Sequence, residues 1–177
     1  MYVWVGIDVD AQLPEIKKHA RAINDEIQFE NFCTTLPLHI SLKMSFEVED
    51  SLFDKILADV EDYYSTLEPF EIDIKGIENE SVIVWVRMRE NDKLNKIHDD
   101  LNSLLLEKYG VGLHEYDTDY KFHTTLFMDG DTKKIDTAFD MVKDSPLPES
   151  ITANRFIIGR SDSGALGTYS VYKEILR

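Results

Sequence analysis

The segment Leu36-Pro37-Leu38-His39-Ile40-Ser41-Leu42-Lys43-Met44-Ser45-Phe46-Glu47 decides how the chain is read. Its side chains alternate, and alternation marks a β-strand with two unlike faces. Leu38, Ile40, Leu42, Met44 and Phe46 fall on one face, and His39, Ser41 and Lys43 share the other. A second stretch repeats the pattern. Lys121, His123, Thr125 and Phe127 share a face, opposite Tyr120, Phe122, Thr124, Leu126 and Met128. Each copy reads histidine, any residue, hydroxyl residue, leucine. Residues two apart on a strand point the same way, about 6.6–6.8 Å from one another. Each strand therefore buries one face and presents imidazole, hydroxyl and ammonium groups on the other.

Outward from these strands, the chain says the same thing twice. Residues 2–8 read as a strand, 12–31 as a helix that tolerates Pro14 near its start, 37–46 as a strand, 51–67 as a helix and 70–77 as a strand. The order then recurs: strand 81–88, helix 92–109, strand 120–128, helix 131–143 and strand 150–160, with a last strand at 168–176 after a glycine-containing turn. Val-Trp-Val occurs in the first strand of each set, at 3–5 and 84–86. Trp4 precedes His39, and Trp85 precedes His123, by nearly the same distance. The expectation is an α+β fold made of a duplicated, pseudo-two-fold unit, its lobes spanning about 1–78 and 79–177 within one domain.

Composition narrows the function classes. A chain of 177 residues with 43% hydrophobic and 11% aromatic residues can build one proper core. The net charge of −15 argues against a long polyanion, whose binding needs many Lys and Arg contacts to phosphate. Much of the acid falls in segment 47–68, where Glu47, Glu49, Asp50, Asp54, Asp59, Glu61, Asp62 and Glu68 face a single Lys55, and reads as a solvated helix face. A small phosphate ester in a locally basic cleft stays open. The one cysteine, Cys33, forbids an intrachain disulfide. The N-terminal apolar run is interrupted by Asp8 and Asp10, and no membrane-length apolar window follows. The expectation is a cytoplasmic protein, without membrane attachment and monomeric.

Cleaving a phosphodiester needs one proton removed from the attacking oxygen and another delivered to the leaving oxygen. Imidazole can do either near neutral pH. Ser and Thr hydroxyls can donate to the non-bridging oxygens, and Lys43 and Lys121 would add charge. Nothing in this scheme calls for a cofactor or a metal. The sequence has no clustered zinc-ligand set, no Gly-x-Ser-x-Gly elbow and no phosphate-cradling glycine loop.

The stretch 36–47 resembles the first motif segment of the 2H phosphoesterase superfamily, in particular its bacterial 2′–5′ RNA ligase-like branch. Tyr120 to Phe127 resembles the second, and Asn154-Arg-Phe through Thr168-Tyr-Ser-Val-Tyr-Lys-Glu174 resembles its closing hairpin. The resemblance implies a bilobal fold, with antiparallel sheets lining a central cleft, helices outside and no metal. It carries His39 and His123 over as catalytic residues, with Ser41 and Thr125 as their hydroxyl partners. It implies action on a 2′,3′-cyclic or 2′–5′ phosphodiester of a small nucleotide or RNA end. Ser41 stands where the family often has Thr, which keeps the hydroxyl.

For the walls of the cleft, strand parity selects Phe127 beside His123, Trp85 as a base-stacking surface and Arg87 as a phosphate partner; Tyr169 and Tyr172 are hairpin contacts. The competing expectation for the tryptophans is the core. The alternative function is a non-catalytic protein that keeps the cleft for a nucleotide or phosphate. An RNA-binding module is a third reading, which the charge opposes.

Overall fold

A computed structural model describes residues 1–29 and 36–177. Cys33 and the expected end of the first helix lie outside the described residues. Among the described residues the order is β1 (Tyr2–Asp8), α1 (Pro14–Ile27), β2 (His39–Glu47), α2 (Asp50–Ser65), β3 (Phe70–Asn79), β4 (Ile83–Met88), α3 (Asp92–Tyr109), β5 (His123–Met128), α4 (Thr132–Val142), β6 (Ser150–Ala153), β7 (Arg155–Ser161) and β8 (Ser170–Leu176). A 3₁₀ turn at Glu115–Asp119, absent from the sequence reading, shortens the strand expected from residue 120. The strand expected at 150–160 divides at Asn154.

Local chemistry sets the helix ends. Pro14 opens α1, where its missing N–H costs nothing. The Asn91 side chain caps α3 by accepting from the Lys93 and Leu94 amides, and Gly110 closes that helix in the left-handed region, at φ 68°. Asp131 caps α4 through the Lys133 amide. Each helix then buries one stripe: Ile16, Ala20 and Ile23 on α1, and Phe53, Ile56, Val60 and Tyr64 on α2. Among the described residues no helix is long and apolar enough to cross a membrane.

The strands form two antiparallel four-stranded sheets, ordered β2-β1-β7-β8 and β5-β4-β3-β6. The expected lobe boundary at 78/79 is not where the sheets divide. β3 leaves the first half to pair with β4 and β6, and β7 and β8 leave the second half to pair with β1. The repeat holds in element order, but β3 is exchanged for β7 and β8, while β6 stays in the sheet of β4 and β5. β3 joins β4 through a tight turn at residues 80–82, whereas β7 reaches β1 only by long-range pairing, which no local periodicity records. The two histidine strands, β2 and β5, are edge strands of their sheets and lie against one another.

Candidate active site

His39 starts β2 opposite Asp8 of β1, and His123 starts β5 opposite Arg87 of β4. Both are half-buried and line one cleft of about 730 Å³, together with Ser41 and Thr125. That volume lies within the range of small-ligand sites.

The two histidines are held alike. His39 donates from Nδ1 to the Pro37 carbonyl at 2.8 Å, and His123 donates from Nδ1 to the Lys121 carbonyl at 2.5 Å. A carbonyl can only accept, so Nδ1 carries hydrogen in each ring, and Nε2 is left to gain or lose a proton. Each ring rests on a tryptophan from the neighbouring strand. The Trp4–His39 centroids are 4.4 Å apart and the Trp85–His123 centroids 4.1 Å. Gly159 makes room for one of these: a Cβ there would stand 1.9 Å from Trp4 Nε1.

Electrostatics separates the pair. Burial lowers the His39 imidazole below its ordinary value, while its bond to the Pro37 carbonyl and the Asp8 charge oppose the fall. Burial pushes His123 down to about 4; the Lys121 carbonyl opposes, and the charges of Arg87 and His39 add to the fall. The neighbour of His39 is thus an anion and that of His123 a cation. Asp8 is itself fixed by the Asp10 amide at 2.9 Å and by Arg155 at 3.3 Å.

Several expected contacts lie elsewhere, and β-bulges are the main reason. In β2, the run from Phe46 to Ser41 faces the shorter run from Val3 to Gly6, so the alternation slips after Leu42. Lys43 is buried instead of facing the cleft. Its ammonium sits 2.5 Å from Asp117 Oδ2 and 3.1 Å from the Gly112 carbonyl. In β5, Trp85 pairs with Thr125 but Val84 with Phe127, so one extra residue reverses the parity after Thr125. Phe127 becomes core and stacks on Phe29 at 4.8 Å. Arg87 is buried too, donating to the Phe122 carbonyl at 3.0 Å, and acts on His123 through its charge alone. Tyr172 packs edge-on against Phe53, outside the cleft wall. Trp85 lines the cleft but lies beneath His123, as a floor under the ring. Lys121 reaches the rim and pairs with Glu80 at 3.4 Å.

The slip also brings in Met44, which alternation assigned to the apolar face, and it lines the cleft next to Ser45. Tyr169, not Tyr172, is the hairpin residue at the wall; it is hydrogen-bonded to Ser45 and donates to the Gly164 carbonyl at 3.3 Å. Tyr116 and Tyr120 enter from the 3₁₀ turn and the loop after it. Behind that wall, Asp117 joins Lys43, the His114 amide at 2.7 Å and His98 Nε2 at 3.4 Å. Burial alone would raise the Asp117 carboxyl, but Lys43, the His114 amide and His98 outweigh it and hold it below the ordinary value. Among the described residues no three His, Cys, Asp or Glu side chains come together as a metal site.

Known structures share the fold over the length of the chain. E. coli LigT complexed with 3′-AMP aligns over 98% of this chain and 96% of its own, with a TM-score of 0.62 and 18% identity. TT0787 of Thermus thermophilus aligns over 99% and 97%, with a TM-score of 0.60 and 17% identity. At these identities the likeness establishes the fold. No protein of curated function matches the chain. The family model of the 2′-5′ RNA ligase superfamily matches residues 10–165, most of the chain including both histidine motifs, and the protein belongs to that superfamily.

Proposed function

We propose that the protein is a metal-independent phosphoesterase acting on a 2′,3′-cyclic or 2′–5′ phosphodiester of a small nucleotide. The observation that carries this reading is the matched pair of imidazoles. One comes from each sheet, each is locked through Nδ1 to a carbonyl two residues upstream, and each has a hydroxyl residue two positions on. E. coli LigT, which shares the fold, has been crystallised with 3′-AMP, NADP+, ATP and phosphate, in keeping with a cleft that accepts small nucleotides.

Burial lowers both rings, and the charges beside them favour opposite roles in hydrolysis. Arg87 disfavours a proton on His123, so His123 is the base. It takes a proton from water as the water oxygen forms its bond to phosphorus. Asp8 favours a proton on His39, so His39 is the acid. It gives that proton to the sugar oxygen as the phosphorus–oxygen bond breaks. Ser41 and Thr125 donate to the non-bridging oxygens, where charge builds. Turnover of cyclic and 2′–5′ linked nucleotides in excess EDTA tests this directly. Activity that survives the chelator and disappears in His39→Ala and in His123→Ala supports the proposal, and activity that needs an added metal ion contradicts it.

A further inference from the structure

We propose that the substrate carries a single negative charge, on the reacting phosphodiester, beside an aromatic or apolar group, and that the cleft discriminates against further phosphates. The inference rests on the phosphoesterase reading and narrows its substrate class.

Most of the wall is apolar, with Trp4, Leu38, Met44, Val82, Tyr116 and Tyr169 among its residues. Its charges do not make it basic. Among the described residues the lining cations are Lys17, Arg21 and Lys121, and the lining carboxylates are Asp10, Glu80, Glu115 and Asp119. Lys17 is paired with Asp10, and Lys121 with Glu80. That leaves Arg21 against Glu115 and Asp119, two exposed carboxylates on the 3₁₀ turn. Two cations that sequence parity assigned to the cleft do not line it: Lys43 is paired with Asp117, and Arg87 is buried behind His123, donating to the Phe122 carbonyl with Glu90 at 3.8 Å. Segment 30–35 contains no Lys or Arg and can add none.

One diester charge can be met by two hydroxyls and the proton on His39. A second phosphate would meet more carboxylate than cation, in a molecule of net charge −15. Fields of one sign at a cleft change association rates by roughly 10- to 1,000-fold, and like charge works against the ligand. A terminally phosphorylated RNA end or a pyrophosphate-containing nucleotide is therefore disfavoured in this chain, in contrast to the NADP+ and ATP with which E. coli LigT has been crystallised. A cyclic nucleotide with a free 5′-hydroxyl fits.

The test compares adenosine 2′,3′-cyclic phosphate, of charge about −1, with its 5′-phosphorylated form, of roughly −3. Expected is a kcat/KM at least about tenfold lower for the 5′-phosphorylated form at low salt, with the gap closing as KCl rises from about 50 to about 300 mM. The Glu115→Gln, Asp119→Asn double variant is expected to close the gap at low salt. Equal kcat/KM, or a preference for the phosphorylated form that weakens with salt, overturns the proposal. If neither nucleotide is turned over, the catalytic reading fails, and titration calorimetry of the same pair decides the charge preference alone. Weaker binding of the phosphorylated form supports it; equal or tighter binding, or binding of neither, overturns it.

Discussion

Replacing Lys43 by Met separates two roles that the sequence leaves merged. A phosphate-contacting lysine would cost catalysis and leave stability alone. The structure instead buries Lys43 to 1% exposure against an Asp117 side chain at 0%. Lys43→Met keeps the volume and removes the ammonium. It leaves the Asp117 carboxylate held by the His114 amide at 2.7 Å and by His98 at 3.4 Å. Breaking one side of such a buried pair costs about 3–5 kcal/mol. For a chain of this length that lowers Tm by about 6–20 °C. Because the Asp117 carboxyl is held below its unfolded value, its contribution is full above the unfolded carboxylate range of about 4 and is lost as pH falls through the folded value. The difference between wild type and variant is therefore large at pH 7 and shrinks in acid. Urea unfolding at several pH values, beside single-temperature kinetics well below both melting points, reads both quantities. A Tm change under about 2 °C together with a kcat loss above about 100-fold would refute the reasoning, because that pair of results belongs to a substrate contact.

Both imidazoles lie below their ordinary value, so the bell-shaped pH profile of kcat/KM is expected on the acid side of about 6.5, with its acid limb near the His123 value of about 4. Arg87→Met removes a cation that disfavours protonated His123 and should move the acid limb upward; an unmoved limb counts against Arg87 as its neighbour charge. Gly159→Ala drives a methyl into the Trp4 indole, which carries His39. It should cost about 1–3 kcal/mol of stability, as overpacking does, and lower kcat as well. Wild-type activity and stability in that variant would mean that Trp4 does not hold the ring.

The sequence made the elements and the placing of the two histidine-hydroxyl pairs legible because both depend on near neighbours. Helical stripes such as Leu94, Ile97, Leu101 and Leu105 on α3 are read at a period of 3.6 and are buried as expected. His39 with Ser41, and His123 with Thr125, lie within an unbroken part of each strand, so parity placed them together. Parity failed one step later. Lys43 and Phe127 sit beyond bulges, and a bulge needs the partner strand to be seen. The exchange of β3 and β7 between sheets was hidden for the same reason: each strand is locally a good strand in either place. Tyr116, Tyr120 and Glu115 reach the cleft through a turn pinned by Lys43 and Asp117, residues 74 positions apart. No short-range pattern encodes that contact.

The most direct test of the account is turnover of 2′,3′-cyclic nucleotides and 2′–5′ linked dinucleotides in EDTA by wild type, His39→Ala and His123→Ala. The account predicts chelator-resistant turnover that falls by about 10²–10⁴-fold in each variant, the usual worth of a positioned acid or base. Tight nucleotide binding with no turnover in the wild type, or turnover that either variant retains, would contradict it; the first of these would describe a protein that keeps the cleft without the reaction.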